Sequence, residues 1–176
     1  MTDPFSALGV APRYDLDLAA LERQHRALSR ALHPDRYAGR APAERREALG
    51  RAIAVNEAWR VLRDPVARAE ALLEALGLEG REPEPAASPE FLAQMMEERE
   101  TLAEARAARD LPRVRELGRA MREKESALVG VLGEEFEKLG PHPEPARVAP
   151  VLQKLAELRY CRRYLEEASA IEDDLI

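Results

Sequence analysis

The sequence holds one cysteine, Cys161, and three histidines in 176 residues. A single thiol forms no internal disulfide and excludes a metal centre built from several cysteines. His25, His33 and His142 are scattered and show no metal-ligand spacing with Cys161. Aromatic residues make up only 5% of the chain, while Ala, Leu, Glu and Arg dominate, which favours helices over strands. No alternating strand-like run extends beyond a few residues. No apolar run approaches the ~20 residues of a membrane span. The start, Met1-Thr2-Asp3-Pro4, has no apolar signal core. A cytoplasmic protein with no membrane partner is therefore expected. Basic charge is also short: 27 Lys and Arg against 33 Asp and Glu leave a net charge of −6. That balance disfavours nucleic acid as a partner, although a local basic face remains possible. There is no phosphate-binding glycine loop and no nucleophile with a supporting base. The chain is thus expected to be no enzyme, with no catalytic residue, metal or cofactor.

What is present is helical periodicity. An opening turn with Phe5 and Leu8 precedes a helix over about 17–33, for which Asp15 and Asp17 are candidate N-caps. Leu18, Leu21, Leu28 and Leu32 are its apolar positions. A third helix over about 42–62 carries two apolar stripes. One is Leu49, Ala52, Ile53, Asn56 and Trp59; the other is Val55, Ala58 and Leu62. Two stripes predict packing on two sides. Asp64-Pro65 starts the next helix, which stops at Gly77. Gly77, Gly80, Pro83, Pro85 and Pro89 then interrupt the pattern. The organisation is a first domain over 1–77, a linker over 78–88, and a second domain over 89–176.

The second domain reads as three helices. Ser88-Pro89 starts the first of them. Asp110 caps a helix over about 111–139, and a final helix covers about 145–173. Gly140-Pro141-His142-Pro143 separates the last two. Short turns predict an antiparallel bundle. Val148, Val151, Leu155, Leu158 and Leu165 are expected inside, with Tyr160 and Tyr164 off that stripe. The first bundle helix has two stripes, Phe91/Met95/Leu102 and Leu92/Met96/Ala103. The second stripe packs on a third helix as core, or it lies exposed for a partner. Core is the default, although methionine is also common on adaptable binding surfaces.

The chemistry concentrates at Leu32-His33-Pro34-Asp35-Arg36. Proline disfavours helical geometry at His33, so the second helix ends there. The tripeptide becomes a turn tip between two packed helices. Arg23, Arg26 and Arg30 share one face of the preceding helix. Alone they would be a solvated surface; beside the turn they suggest a docking face for an acidic partner. Such a His-Pro-Asp turn resembles that of a J-domain, the module by which co-chaperones stimulate the ATPase of DnaK-type chaperones. Phe5-Ser6-Ala7-Leu8-Gly9-Val10 resembles the module's opening, and Asn56-Glu57-Ala58-Trp59-Arg60-Val61-Leu62-Arg63-Asp64-Pro65 the end of its third helix.

Arg68-Ala69-Glu70-Ala71-Leu72-Leu73 resembles one branch in particular, the HscB family of iron–sulfur cluster assembly. The resemblance covers nearly the whole chain. It implies an all-α fold: a J-domain helical hairpin packed with short helices, followed by a three-helix antiparallel bundle. It also implies a DnaK/HscA-type chaperone as partner, docking through Arg23, Arg26, Arg30, His33, Pro34 and Asp35. The second implied partner is the iron–sulfur cluster scaffold protein of IscU type, held by Leu92, Met96, Glu97, Glu100 and Tyr160. Ala93 stands where the family can carry a larger apolar residue, and the basic helix is less dense than in many J-domains. The alternatives are a J-domain co-chaperone for a different client, or a helical nucleic-acid binder. A monomer or weak dimer is expected.

Overall fold

A computed structural model describes residues 3–78, 87–140, 143 and 145–176. The described residues form seven α-helices and one short 3₁₀ turn. The chain divides into two compact units, Met1–Glu79 and Gly80–Ile176. The segment expected as linker lies largely outside the described residues, as do Pro141 and His142 of the expected final turn.

Unit one contains α1 (Pro4–Leu8), α2 (Leu18–Ala31), a 3₁₀ turn (Pro34–Tyr37), α3 (Pro42–Arg63) and α4 (Pro65–Ala75). Its helix starts are written locally. Asp3 accepts from the backbone N–H groups of Phe5 and Ser6, Asp17 from Ala20, and Asp64 from Ala67. Each satisfies an N–H that the first helical turn would otherwise leave unpaired. Of the two candidate caps for α2, Asp17 is the one used. At Gly77 the backbone turns left-handed (φ 68°), and Leu78 N–H reaches Leu73 O at 2.8 Å. That closes α4 in a geometry that glycine adopts without a Cβ penalty.

Helix α3 is the spine of this unit, touching α1, α2, the 3₁₀ turn and α4. Phe5, Leu8, Leu21, Val55, Ala58, Leu62 and Leu72 are buried around it. One of its two expected stripes is covered and the other only in part. Leu49 and Ile53 remain 55% and 62% exposed, as does Leu18 on α2 at 43%. The buried positions Ala48, Val55, Ala58 and Leu62 share one side of α3, so its neighbours leave Leu49 and Ile53 of the other stripe in solvent. Arg68 is buried on α4. Its Nη1 donates to Leu62 O at 2.8 Å, and its guanidinium lies 4.7 Å from the Tyr14 ring. The arginine thus ties α4 to the end of α3 and to the segment before α2.

Unit two contains α5 (Pro89–Ala107), α6 (Leu111–Leu139) and α7 (Pro145–Leu175). Cross-helix contacts give the directions. Gln94 meets Lys124 and Arg115 meets Glu172, so α6 runs antiparallel to both other helices. Arg99 meets Glu167 and Arg106 meets Asp174, so α5 and α7 run parallel. Phe91, Met95, Leu102, Val114, Met121, Cys161 and Tyr164 belong to the core. Tyr164, expected off the inward stripe, is fully buried. Both α5 and α6 pack on α7, which widens its buried arc beyond one stripe. The Tyr164 hydroxyl donates to Glu98 O at 3.4 Å. Gly118 and Gly130 are not required by close packing, since a Cβ there meets nothing nearer than 3.6 Å.

Just past the end of α5 stands Arg109, a non-glycine residue at φ 53°, and Asp110 N–H bonds to Ala105 O at 2.9 Å. Left-handed backbone costs an L-residue roughly 1–2 kcal/mol, partly offset by the greater unfolded-state entropy of glycine. Arg109→Gly is therefore expected to stabilise the protein by about 0.5–1 kcal/mol. Chemical denaturation checks this; a lower midpoint at unchanged slope would contradict it.

Candidate functional site

Pro34 holds His33 in an extended conformation (φ −59°, ψ 134°), which ends α2 and lifts the turn out of the helical pair. The Asp35 N–H points to His33 Nδ1 at 3.4 Å, and one Asp35 carboxylate oxygen lies 3.4 Å from the same nitrogen. Both side chains face water, at 59% exposure for His33 and 90% for Asp35. Pro34 is exposed beside them. The tip therefore presents an imidazole, a rigid proline and a carboxylate to solvent.

Arg23, Arg26 and Arg30 are exposed on α2, as their spacing predicts. Their charge is partly committed. Arg26 Nη2 pairs with Glu22 at 2.5 Å, and Arg30 Nε donates to Arg26 O at 3.2 Å. The α2–α3 pair is fastened by a group that periodicity alone left unread. His25 stacks on Trp59 with centroids 5.3 Å apart and planes at 12°. Its Nε2 lies 2.9 Å from Asn56 Oδ1, and Ser29 Oγ lies 3.3 Å away. Asn56 and Trp59, read as one apolar stripe, instead form this polar and aromatic clasp.

In unit two the residues of interest lie where α5 meets α7. Phe91 and Met95 point inward. Leu92 is half-buried, whereas Met96 is 74% exposed and Ala103 is exposed. The second stripe of α5 is therefore not core: α6 and α7 both pack on its Phe91 side, leaving the outer arc open. Glu97 and Glu100 are exposed further round that arc. Tyr160 is half-buried, edge-on to Phe91 at 6.3 Å, with the Arg163 guanidinium 4.9 Å from its own ring. Leu92 and Tyr160 pack against the same core. On the other side of Phe91, Lys124 Nζ sits 4.8 Å from the ring and donates to Gln94 at 2.9 Å. The contacts of Arg163 were not legible from spacing, although its position three residues beyond Tyr160 is a usable signal.

The match to known proteins is specific. Residues 87–169 match the family described as the HSCB C-terminal oligomerisation domain. The co-chaperone protein HscB homologue of Azoarcus sp. is 35% identical over 159 residues, covering 90% of each chain. The chain belongs to the HscB family of co-chaperones. The HscB homologue of Neisseria meningitidis serogroup B is 37% identical over 137 residues, covering 77% of this chain and 82% of its own. The structure of chaperone HscB from Vibrio cholerae superposes with a TM-score of 0.80 at 25% identity, covering 99% of this chain and 100% of that one. Human co-chaperone HscB gives 0.72 at 23% identity, over 97% and 84%. The all-α fold of an HscB protein, expected from the sequence, is the fold found.

In this HscB-family chain, among the described residues, no three His, Cys, Asp or Glu side chains gather to hold a metal. No described helix is long and apolar enough to cross a membrane. Cys161 is fully buried, and desolvation pushes its thiol up to about 11; Tyr164, likewise buried, is pushed up to about 12. Both groups fold as neutral acids. Below their ordinary values of 9.0 and 10.0 this stabilisation is complete, because folded and unfolded chains are then protonated alike. As pH rises through 9–12 the unfolded chain ionises first and stability falls. Melting curves between pH 8 and 11 are expected to show a falling midpoint, with Tyr164→Phe removing the part that sets in above pH 10. A native Cys161 that alkylates as fast as a free thiol would contradict its burial.

Proposed function

We propose that this chain stimulates ATP hydrolysis by a DnaK/HscA-type chaperone and brings to it the scaffold protein on which iron–sulfur clusters are assembled. The observation that carries the reading is the exposed His33-Pro34-Asp35 tip on a packed helical pair, in one chain with an exposed apolar-acidic face on α5. Family membership supports it.

The two units divide the work. Unit one docks on the chaperone through His33, Pro34 and Asp35, with Arg23, Arg26 and Arg30 drawing an acidic surface onto α2. Docking favours the chaperone conformation competent for hydrolysis. Glu22 tempers the basic face, which suits a dedicated partner. Unit two holds the scaffold protein. Leu92, Met96 and Tyr160 supply apolar and aromatic area, while Glu97 and Glu100 orient a basic partner surface. Joining both contacts in one chain raises the concentration of scaffold at the chaperone. Hydrolysis then locks the chaperone on its client and assists transfer of the cluster, which is cargo and not a resident cofactor. The chain's own place is cytoplasmic in this reading, with the chaperone and scaffold as its partners.

Single-turnover ATP hydrolysis by the organism's DnaK-type chaperones tests the proposal, with this protein and the scaffold added singly and together. Synergistic stimulation is expected. His33→Gln should abolish stimulation while scaffold binding persists; loss of both in a folded variant contradicts the division of labour. Leu92→Ala combined with Met96→Ala should weaken scaffold binding by about tenfold or more, since the pair removes the apolar area that α5 offers a partner. Stimulation by this protein alone should survive that change. Stimulation with no scaffold effect would retain the chaperone contact and assign a different client.

A further inference from the structure

Arg163 is an exposed cation of α7 beside the α5–α7 face. Its guanidinium lies 4.9 Å from the Tyr160 ring, and the side chain is exposed. Among the described residues it has no ion-pair partner. Glu167, one turn along α7, pairs instead with Arg99 of α5 at 3.4 Å. With its guanidinium beside the ring and the side chain exposed, Arg163 keeps donors open to solvent, and a guanidinium binds a carboxylate through two parallel hydrogen bonds.

The position of this cation matters. Phe91 meets Tyr160 and Arg99 meets Glu167, so α5 and α7 advance together. Arg163 therefore stands level with the turn of α5 that carries Met96. Leu92, Met96 and Tyr160 lie between two unlike borders: Glu97 and Glu100 on the α5 side, Arg163 on the α7 side. Neither carboxylate is ion-paired among the described residues. An apolar strip with acid along one edge and the basic Arg163 on the other is polar across its width. A partner that fits must show basic groups on one edge and an acid on the other.

We propose that Arg163 receives an acidic side chain of the scaffold protein and so fixes the direction in which that protein lies across Leu92, Met96 and Tyr160. This rests on the scaffold-binding reading above and adds to it a specificity-determining residue and the charge pattern of the partner. Acid contacts alone would attract any basic surface. The opposed arginine rejects a partner that is basic along both edges, because like charges then meet at Tyr160.

The test is calorimetric and kinetic binding of the scaffold protein to the full chain at two ionic strengths. Arg163→Glu is expected to weaken binding about tenfold or more, chiefly by slowing association, with the salt dependence reduced. Arg163→Lys is expected to fall between, keeping charge but losing the fork. Both variants should melt like the wild type, because the side chain is exposed. An acidic-to-lysine scan of the scaffold surface should find one position that restores binding to Arg163→Glu. Wild-type binding with an unaffected Arg163→Glu variant overturns the proposal and leaves the scaffold reading standing, as does weakened binding that no scaffold substitution restores. No binding by the wild type overturns the scaffold reading itself, and this proposal with it.

Discussion

The residue before a proline resists helical geometry, and much of this structure depends on that one constraint. Asp3, His33, Ala41, Asp64 and Ser88 each precede a proline, and each is held with ψ between 123° and 149°. Each therefore ends whatever came before and opens a helical turn whose first residue needs no N–H partner. At Asp3, Asp64 and Ser88 a side-chain oxygen then accepts from the new turn. His33 repeats the arrangement with a ring nitrogen facing the Asp35 N–H. The His33-Pro34-Asp35 tip is thus built like a helix start, and its His side chain is oriented by the same backbone geometry that stops α2. In the proposed docking, a rigid proline reduces the conformations the tip must give up, which is a source of affinity without added contact.

The two units solve different packing problems. In unit one, α3 gathers its neighbours on one side, and the clasp of His25, Asn56 and Trp59 fastens α2 beside them. That clasp sets the direction in which Arg23, Arg26 and Arg30 face. In unit two, three long helices share a core centred on Phe91, Leu102, Cys161 and Tyr164. Helix α7 meets both partners, so its buried arc is wide, while α5 keeps an outer arc free. The face proposed for the scaffold protein consists of what α5 does not bury, bordered by the aromatic and cationic side chains of α7.

Helix positions were largely legible. Prolines, Asp and Ser caps, and closing glycines are local signals, and the starts at Pro42, Pro65, Pro89 and Leu111 follow from them. The exposed tip was legible for the same reason. Coverage of stripes was not. Leu49 and Ile53 have the spacing of a core face yet lie in water, and Tyr164 seemed off the stripe yet is the largest fully buried side chain. Periodicity says which residues share a face; it carries no information about how many neighbours that face will meet. The resemblance singled out Leu92, Met96, Glu97, Glu100 and Tyr160 together, but only the fold shows which of them stand in solvent.

By itself, then, the sequence determined where helices begin and end and that His33, Pro34 and Asp35 must leave the helix, because these follow from backbone geometry within a few residues. Tertiary structure alone decided that Met96 and Ala103 of the α5 stripe are surface and not core, that Tyr164 is interior, that His25 clasps Asn56 across two helices, and that Arg163 lies against Tyr160 with no ion pair among the described residues. Each of those depends on the direction from which another helix arrives, which is set by the packing of residues distant in the chain.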